Sequence, residues 1–160
     1  MKIRLFKDKD KKQIENLIEE FLDYTRESYA KEVLLFNDYT NSQKKTYVKK
    51  ILEEFQNKKN SQFLIAEKDS KTIGFILGFV ERKPYTIKKR SGHILSFFVS
   101  EKNRNDQIGK NLYNKLVEWF IKQKCDHLEL DVYKGNDKSI EIYKKWGFKE
   151  NLVKMKKELS

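Results

Sequence analysis

The chain has 160 residues, of which 38% are hydrophobic and 13% aromatic, so it is long enough and apolar enough to fold around one core. This composition excludes a disordered chain, and no apolar run approaches the roughly 20 residues of a transmembrane helix. One cysteine cannot form an internal disulfide, and two histidines are too few for a metal cluster. The N-terminal residues are typical of a strand entering a helix, not of a secretory signal. We therefore expect a single domain over residues 1–160, a cytoplasmic location, no membrane partner and no metal.

The formal net charge is +11, which raises the question of a nucleic-acid partner. Five of the 35 basic residues are arginine, and the lysines are spread over every part of the chain. Arginine is the better side chain for reading bases and phosphates with two hydrogen bonds. The charge by itself therefore does not predict a nucleic-acid partner, although a positive surface attracts a polyanionic ligand.

The N-terminal half of the sequence combines strand and helix patterns. Residues 2–6 are typical of a strand, and a stripe of apolar residues at helical spacing follows them. Residues 23–40 have no clear period and are rich in tyrosine and carboxylates. A second helical stripe begins at Ser42, and two strands are predicted over 62–67 and 72–82, around a polar turn.

The C-terminal half completes a mixed pattern. It predicts a strand over 93–100, a helix over 107–124, a strand over 127–132, a helix over 137–146 and a final strand near 152–157. The whole order, β-α-α-β-β-β-α-β-α-β, predicts an α/β fold in which helices pack on one twisted sheet.

The most informative segment is the polar loop between the strand that ends at Ser100 and the helix that follows it. The first turn of a helix has backbone N–H groups without internal partners, and the helix dipole favours an anion there. Arg104 and Lys110 lie on either side of that turn in the sequence. This arrangement predicts a site for a diphosphate.

The same loop resembles motif A of the GNAT family of N-acetyltransferases. The family pattern is Gln/Arg-x-x-Gly-x-Gly/Ala, and here it reads Arg104-x-x-Gln107-x-Gly109. Gln107 stands where the family usually has glycine, which allows close backbone approach and a positive φ. We expect glutamine to replace neither property, so that binding is retained but weakened.

A second segment resembles motif B of the same family, Asn-x-x-Ala/Ser-x-x-x-Tyr-x-x-x-Gly-Phe. The residues at its named positions are Asn136, Ser139, Tyr143, Gly147 and Phe148. Asn136 is expected to cap the short helix and Gly147 to end it. The spacing between the two motifs also agrees with the family, and together they cover residues 93–148.

The resemblance implies a fold and an activity. The fold would be a mixed, mostly antiparallel sheet with helices on both faces and a splay between strands 4 and 5, where the cofactor enters. The activity would be transfer of an acetyl group from acetyl-coenzyme A to a primary amine. In the family the amine attacks directly within a ternary complex, without a nucleophilic protein residue.

The resemblance also implies roles for individual residues. Tyr143 would be the general acid that protonates the coenzyme A sulfur. The backbone around Phe98 and Val99 would pair with the pantetheine arm and polarise the thioester carbonyl. The remaining cofactor contacts would come from Arg104, Gln107, Ile108, Gly109, Lys110 and Asn136.

The general base is not determined by the motifs. Many family members carry a glutamate in the middle of the fourth strand, where this chain has Leu95 and Ser96. His93 has the intrinsic pKa best suited to the role, and Asp131 is the second candidate. Glu81 and Glu129 also lie on predicted strands and could act through water.

The acceptor is a small-molecule or protein amine. In the family the connection between the first two helices helps to form the acceptor pocket, and here residues 23–40 carry tyrosines and carboxylates that suit a cationic amine. The alternative for this segment is an amphipathic hairpin that packs on the sheet.

Two other functions remain open at this point. One is a protein of the same fold that binds acyl-coenzyme A without transferring the acyl group. The other is an acetyltransferase whose acceptor amine is carried by aminoacyl-tRNA, which would bind with strong salt dependence. Members of the family are often dimers, so a homodimer is compatible with the resemblance, although no residue of the sequence indicates one.

Overall fold

The computed structural model describes residues 1–104 and 106–159. Asn105, which belongs to the predicted phosphate loop, lies outside the described residues, as does Ser160. Five strands form one sheet in the order β1-β2-β3-β4-β5. Their bounds are Lys2–Leu5, Ser61–Lys68, Lys71–Arg82, Arg90–Val99 and His127–Leu130. The first four strands pair antiparallel, and β5 pairs parallel with β4. The predicted fold class, a mixed and mostly antiparallel sheet with helices, is confirmed.

Helices cover both faces of the sheet. Their bounds are Lys11–Ser28 for α1, Lys31–Asn37 for α2, Asn41–Asn57 for α3, Ile108–Lys122 for α4 and Asp137–Lys145 for α5. One core cluster joins α1 and α3 to side chains such as Phe75 and Phe98 of the sheet. The second cluster joins α4 to the opposite face and includes Trp146 and Phe148, which follow α5. The helical periods of the sequence predicted helices that each bury one apolar stripe, and the resemblance implied that helices cover both faces.

The splay between β4 and β5 is set by a short pairing. Only residues 91–94 of β4 pair with β5, in register with residues 127–130. The register of β4 against β3 shifts where Leu95 has no partner opposite it, which is a β-bulge. Beyond that point the β5 side of β4 has no paired strand among the described residues. The second half of β4 therefore borders an opening.

Two parts of the fold differ from the sequence prediction. The unassigned segment 23–40 contains the end of α1 and the additional helix α2. The predicted strand near 152–157 is wrong, because residues 149–159 have no regular structure. A strand is stabilised by pairing with a neighbour, and this segment instead runs past α2, where Lys156 Nζ donates to Asn37 Oδ1 at 3.1 Å.

Among the described helices, none combines the length and the apolar character needed to cross a membrane.

Candidate active site

The N-terminus of α4 has the backbone arrangement that an anion requires. Gln107 is the N-cap residue, with φ 59° and ψ 5°, and its side chain makes no capping hydrogen bond. The expectation that glutamine could not take the positive φ of the family glycine is therefore wrong. The first N–H of this turn with a partner inside the helix is that of Asn111, which donates to the Gln107 carbonyl at 2.9 Å. The N–H groups of Ile108, Gly109 and Lys110 precede it and are the donors offered to a ligand.

The left-handed conformation of Gln107 leads to a prediction about stability. A residue other than glycine in this region costs the folded protein about 1–2 kcal/mol. Glycine removes that cost, but it also raises the conformational entropy of the unfolded chain, which cancels part of the gain in stability. We expect Gln107→Gly to raise the free energy of unfolding by about 0.5–1 kcal/mol, measured by urea denaturation. Lys124, with φ 56° just beyond α4, provides the matched control.

Lys124→Gly should stabilise by a similar amount, and only Gln107→Gly should also tighten the binding of acetyl-coenzyme A. A Gln107→Gly protein that unfolds more easily than the wild type would contradict the assigned strain.

Gly109 allows α4 to approach β4 closely. A Cβ atom at this position would lie 3.0 Å from the ring of Phe97. The ammonium of Lys110 lies 5.4 Å from the ring centroid of Tyr113 on the same helix and 5.1 Å from that of Trp146, which lies within motif B. Motif A and motif B therefore meet at the first turn of α4.

Arg104 contacts the open edge of β4. Its guanidinium lies 4.2 Å from the ring centroid of Tyr24 and 5.4 Å from that of Phe98, and its Nε donates to the Val99 carbonyl at 3.1 Å. The Val99 carbonyl consequently faces the splay, which is the edge that a pantetheine arm would need. Arg104 occupies this edge here, so binding a phosphate group would require its side chain to release Val99.

Tyr143 lies on α5 in an aromatic environment. Its ring is 6.0 Å from Trp146 and 6.0 Å from Phe148, in edge-to-face arrangements. Burial raises the pKa of Tyr143 to about 12, and the nearby Tyr24 phenol of α1 adds to the shift. The phenol is therefore neutral at physiological pH and available as a hydrogen-bond donor.

Asn136 occupies the N-cap position of α5 but does not cap it. Its side chain makes no capping bond, which corrects the sequence-based expectation. Its Oδ1 atom is buried and has no hydrogen-bond partner among the described residues. A buried amide oxygen without a partner costs free energy, so it is available to a ligand donor.

The candidate bases differ in their surroundings. His93 stacks on Phe79 with ring centroids 5.0 Å apart, and it lies in the part of β4 that β5 still covers. The carboxylate of Glu129 accepts from Lys83 at 2.6 Å and contacts His127 at 2.7 Å, and these partners lower the pKa of Glu129, with Lys83 the larger cause. Glu81 lies 3.8 Å from the same lysine.

Asp131 follows the end of β5, is exposed, and has no ion-pair partner among the described residues.

A cavity of about 760 Å³ lies between α1, α2, α3 and the segment after β5, and its lining residue Phe21 contacts Phe98 of β4. Its aromatic lining consists of Phe21, Tyr29, Phe36, Tyr39, Tyr47 and Tyr133. The sequence singled out the tyrosines of the 23–40 segment but missed Tyr47 and Tyr133. Tyr47 looked like part of an ordinary helical stripe, and Tyr133 stood alone after a strand. We name this space the tyrosine cavity.

The carboxylates that suggested a cationic acceptor are largely absent from this cavity. Among the described lining residues Asp38 is the one carboxylate, and Arg26 pairs with it at 3.0 Å. Asp23 is instead paired with Lys44 at 2.6 Å. Lys50 contributes a second cation to the lining.

The chain is similar to N-acetyltransferases over most of its length. The sequence profile described as the Acetyltransferase (GNAT) family matches residues 16–148. An uncharacterized N-acetyltransferase of Methanocaldococcus jannaschii is 29% identical over 140 residues, which is 88% of this chain and 62% of that protein. This chain thus spans less than two thirds of that relative's length.

Solved structures share the fold. A Bacillus halodurans protein, crystallised as a point mutant, matches with a TM-score of 0.83 and 18% identity over 100% of both chains. An aminoglycoside N-acetyltransferase in complex with coenzyme A matches with a TM-score of 0.68 and 16% identity over 99% of this chain and 100% of that one. At these identities the likeness shows the fold alone. The profile match, which spans both motifs, establishes that the chain belongs to the GNAT acetyltransferase family.

Proposed function

We propose that the protein is an acetyl-coenzyme A-dependent N-acetyltransferase that moves an acetyl group to a primary amine by direct attack in a ternary complex. The observation that carries this proposal is the contact between the two motifs, since the Lys110 ammonium at the start of α4 and the ring of Tyr143 both contact Trp146. The free amides at the start of α4, the Val99 carbonyl at the open edge of β4 and the neutral phenol of Tyr143 support it.

Coenzyme A would bind along this edge. The pyrophosphate would accept from the N–H groups of Ile108, Gly109 and Lys110, with Gln107 forming the turn before them. Arg104 would exchange its bond to Val99 for a phosphate oxygen, which frees that carbonyl to pair with pantetheine. The partnerless Oδ1 of Asn136 would accept a hydrogen bond from the cofactor on the other side of the splay. Phe98, which is buried against Phe21 and Tyr24, would hold the backbone of β4 in place beside the arm.

Acetyl transfer would then need one donor and one acceptor of protons. The amine nitrogen forms a bond to the acetyl carbon, the carbon–sulfur bond breaks, and the departing thiolate takes a proton from the Tyr143 phenol. The proton lost by the amine would leave through water to Asp131, which directly follows β5 and lies two residues before Tyr133 of the cavity lining. We prefer Asp131 to His93 because His93 is stacked on Phe79 in the covered part of β4.

The test is calorimetric titration with acetyl-coenzyme A, with ATP as a control anion. Saturable binding of acetyl-coenzyme A, and not of ATP, supports the proposal. The release of free thiol in the presence of an amine then separates transfer from mere binding of acyl-coenzyme A. Absence of binding would contradict the proposal, and salt-sensitive binding of tRNA in its place would favour the RNA alternative.

A further inference from the structure

The tyrosine cavity, defined above by its six aromatic residues, has an unusual balance of shape and charge. Its volume of about 760 Å³ lies within the range of sites that take small molecules, about 300–1,000 Å³. Six of its lining residues are aromatic, and desolvation raises the pKa values of Tyr29, Tyr39 and Tyr47, so these phenols stay neutral. The phenolic oxygen of Tyr39 is buried without a hydrogen-bond partner among the described residues. The cavity therefore offers flat apolar surfaces and neutral phenols.

The charged side chains of the lining do not suit a polycation. Arg26 and Lys50 are cationic, and Asp38, the single carboxylate among the lining residues that the structure describes, is already paired with Arg26 at 3.0 Å. A polyamine or an aminoglycoside would bring several ammonium groups into a space that has no unpaired carboxylate among the described lining residues. Burying a charge without a partner is costly, and the net positive lining adds repulsion to that cost.

The aromatic faces are also partly occupied by the protein's own cations. The guanidinium of Arg26 lies 5.4 Å from the ring centroid of Tyr39, and the ammonium of Lys156 lies 5.5 Å from that of Phe36. Cation–π attraction, the usual way in which aromatic residues bind ammonium groups, is thus already used at two of the six rings. Further cations would meet these charges at close range.

We propose that the acceptor is a small monoamine whose body is a flat aromatic group, and that polyamines and aminoglycosides are poor acceptors. This inference rests on the proposed acetyltransferase function and names the acceptor class of the same site. The aromatic body would lie among the tyrosine rings, and its single amino group would extend toward the splay. A positive lining also favours the uncharged form of that amine, which is the form that attacks the thioester.

The experiment compares 2-phenylethylamine with spermidine and kanamycin as acceptors for acetyl-coenzyme A, with free thiol as the readout. We expect kcat/KM for 2-phenylethylamine to exceed the values for both polycations by at least about tenfold, because like charges repel inside a partly desolvated site. Lys50→Glu should reduce this preference for 2-phenylethylamine over spermidine by about tenfold, since it replaces a lining cation by a carboxylate.

Lys49→Glu is the matched control, because it makes the same charge change on the same helix outside the cavity lining. For Lys49→Glu, we expect the ratio of kcat/KM for 2-phenylethylamine to that for spermidine to stay within about twofold of the wild-type ratio.

The outcomes separate this inference from the function on which it rests. If acetyl-coenzyme A does not bind in calorimetry, the proposed function fails. If it binds but spermidine or kanamycin is the better acceptor, or if 2-phenylethylamine shows no saturable calorimetric binding to the coenzyme-bound protein, the acceptor class is wrong. Equal effects of Lys50→Glu and Lys49→Glu would also overturn the role given to the cavity.

Discussion

Replacing Tyr143 by phenylalanine is expected to lower kcat by about 100-fold or more while the dissociation constant of acetyl-coenzyme A changes little. Removing a general acid typically costs about 10²–10⁴ in rate. The phenyl ring keeps the edge-to-face contacts with Trp146 and Phe148, so the packing around α5 should survive. Steady-state rates of thiol release and calorimetric titration together measure the two effects.

Tyr113→Phe is the control for this substitution. Tyr113 stacks on the same Trp146 with ring centroids 4.2 Å apart, but it lies on α4 and buries its ring in the core of that face. Removing the hydroxyl of Tyr113 should therefore leave kcat nearly unchanged. If Tyr143→Phe turns over at the wild-type rate, water or another residue protonates the thiolate and the acid role is wrong.

The raised pKa of Tyr143 leads to a prediction about how kcat depends on pH. The acid form is the protonated phenol, and a pKa of about 12 keeps it protonated throughout the neutral and mildly basic range. The rate should therefore rise with pH as the acceptor amine loses its proton, with no fall due to Tyr143 below about pH 11. A pH–rate profile of kcat checks this, and a decline near the ordinary tyrosine pKa would contradict the burial of this phenol.

The largest expected loss of stability comes from Gly135→Ala. Gly135 has φ +95°, and a Cβ atom there would lie 2.4 Å from the backbone nitrogen of Ala30. That contact joins the loop after β5 to the start of α2, where the Ala30 N–H donates to the Lys134 carbonyl at 3.2 Å. Because neither backbone can move aside without breaking this bond, we expect the free energy of unfolding to fall by about 3 kcal/mol, from strain and collision together.

Gly147→Ala isolates the part of this loss that is due to φ alone. Gly147 has φ +91°, but no atom lies within 4 Å of the position of its Cβ. Gly147→Ala should therefore lower the free energy of unfolding by only about 1–2 kcal/mol, measured by urea denaturation. Equal losses for the two substitutions would mean that the contact between Gly135 and Ala30 does not hold the loop. Gly135→Ala should also weaken acceptor binding, since Tyr133 and Tyr29, with ring centroids 4.8 Å apart, flank that contact.

The tyrosine cavity illustrates which kinds of information a sequence lacks. Residues 23–40 have no single period because they contain the end of one helix, a turn and the short helix α2. Their tyrosines could be noticed, but their partners Tyr47 and Tyr133 are separated from them in the sequence. The net charge of the cavity is likewise not visible in the sequence. Asp38 pairs with Arg26, and Asp23 pairs with Lys44, only because of how α1, α2 and α3 pack.

Sequence alone determined the order and the type of most elements, the two motifs and the family resemblance. Local spacing carries that information, since apolar periods decide between helix and strand and short motifs keep their residues within one loop and one helix. Only the tertiary structure decided the left-handed conformation of Gln107, the contact of Arg104 with Val99, the unpaired residues 149–159 and the charge of the cavity. Each of these depends on which distant backbone or side chain lies opposite, and that is fixed by packing, not by neighbours in the chain.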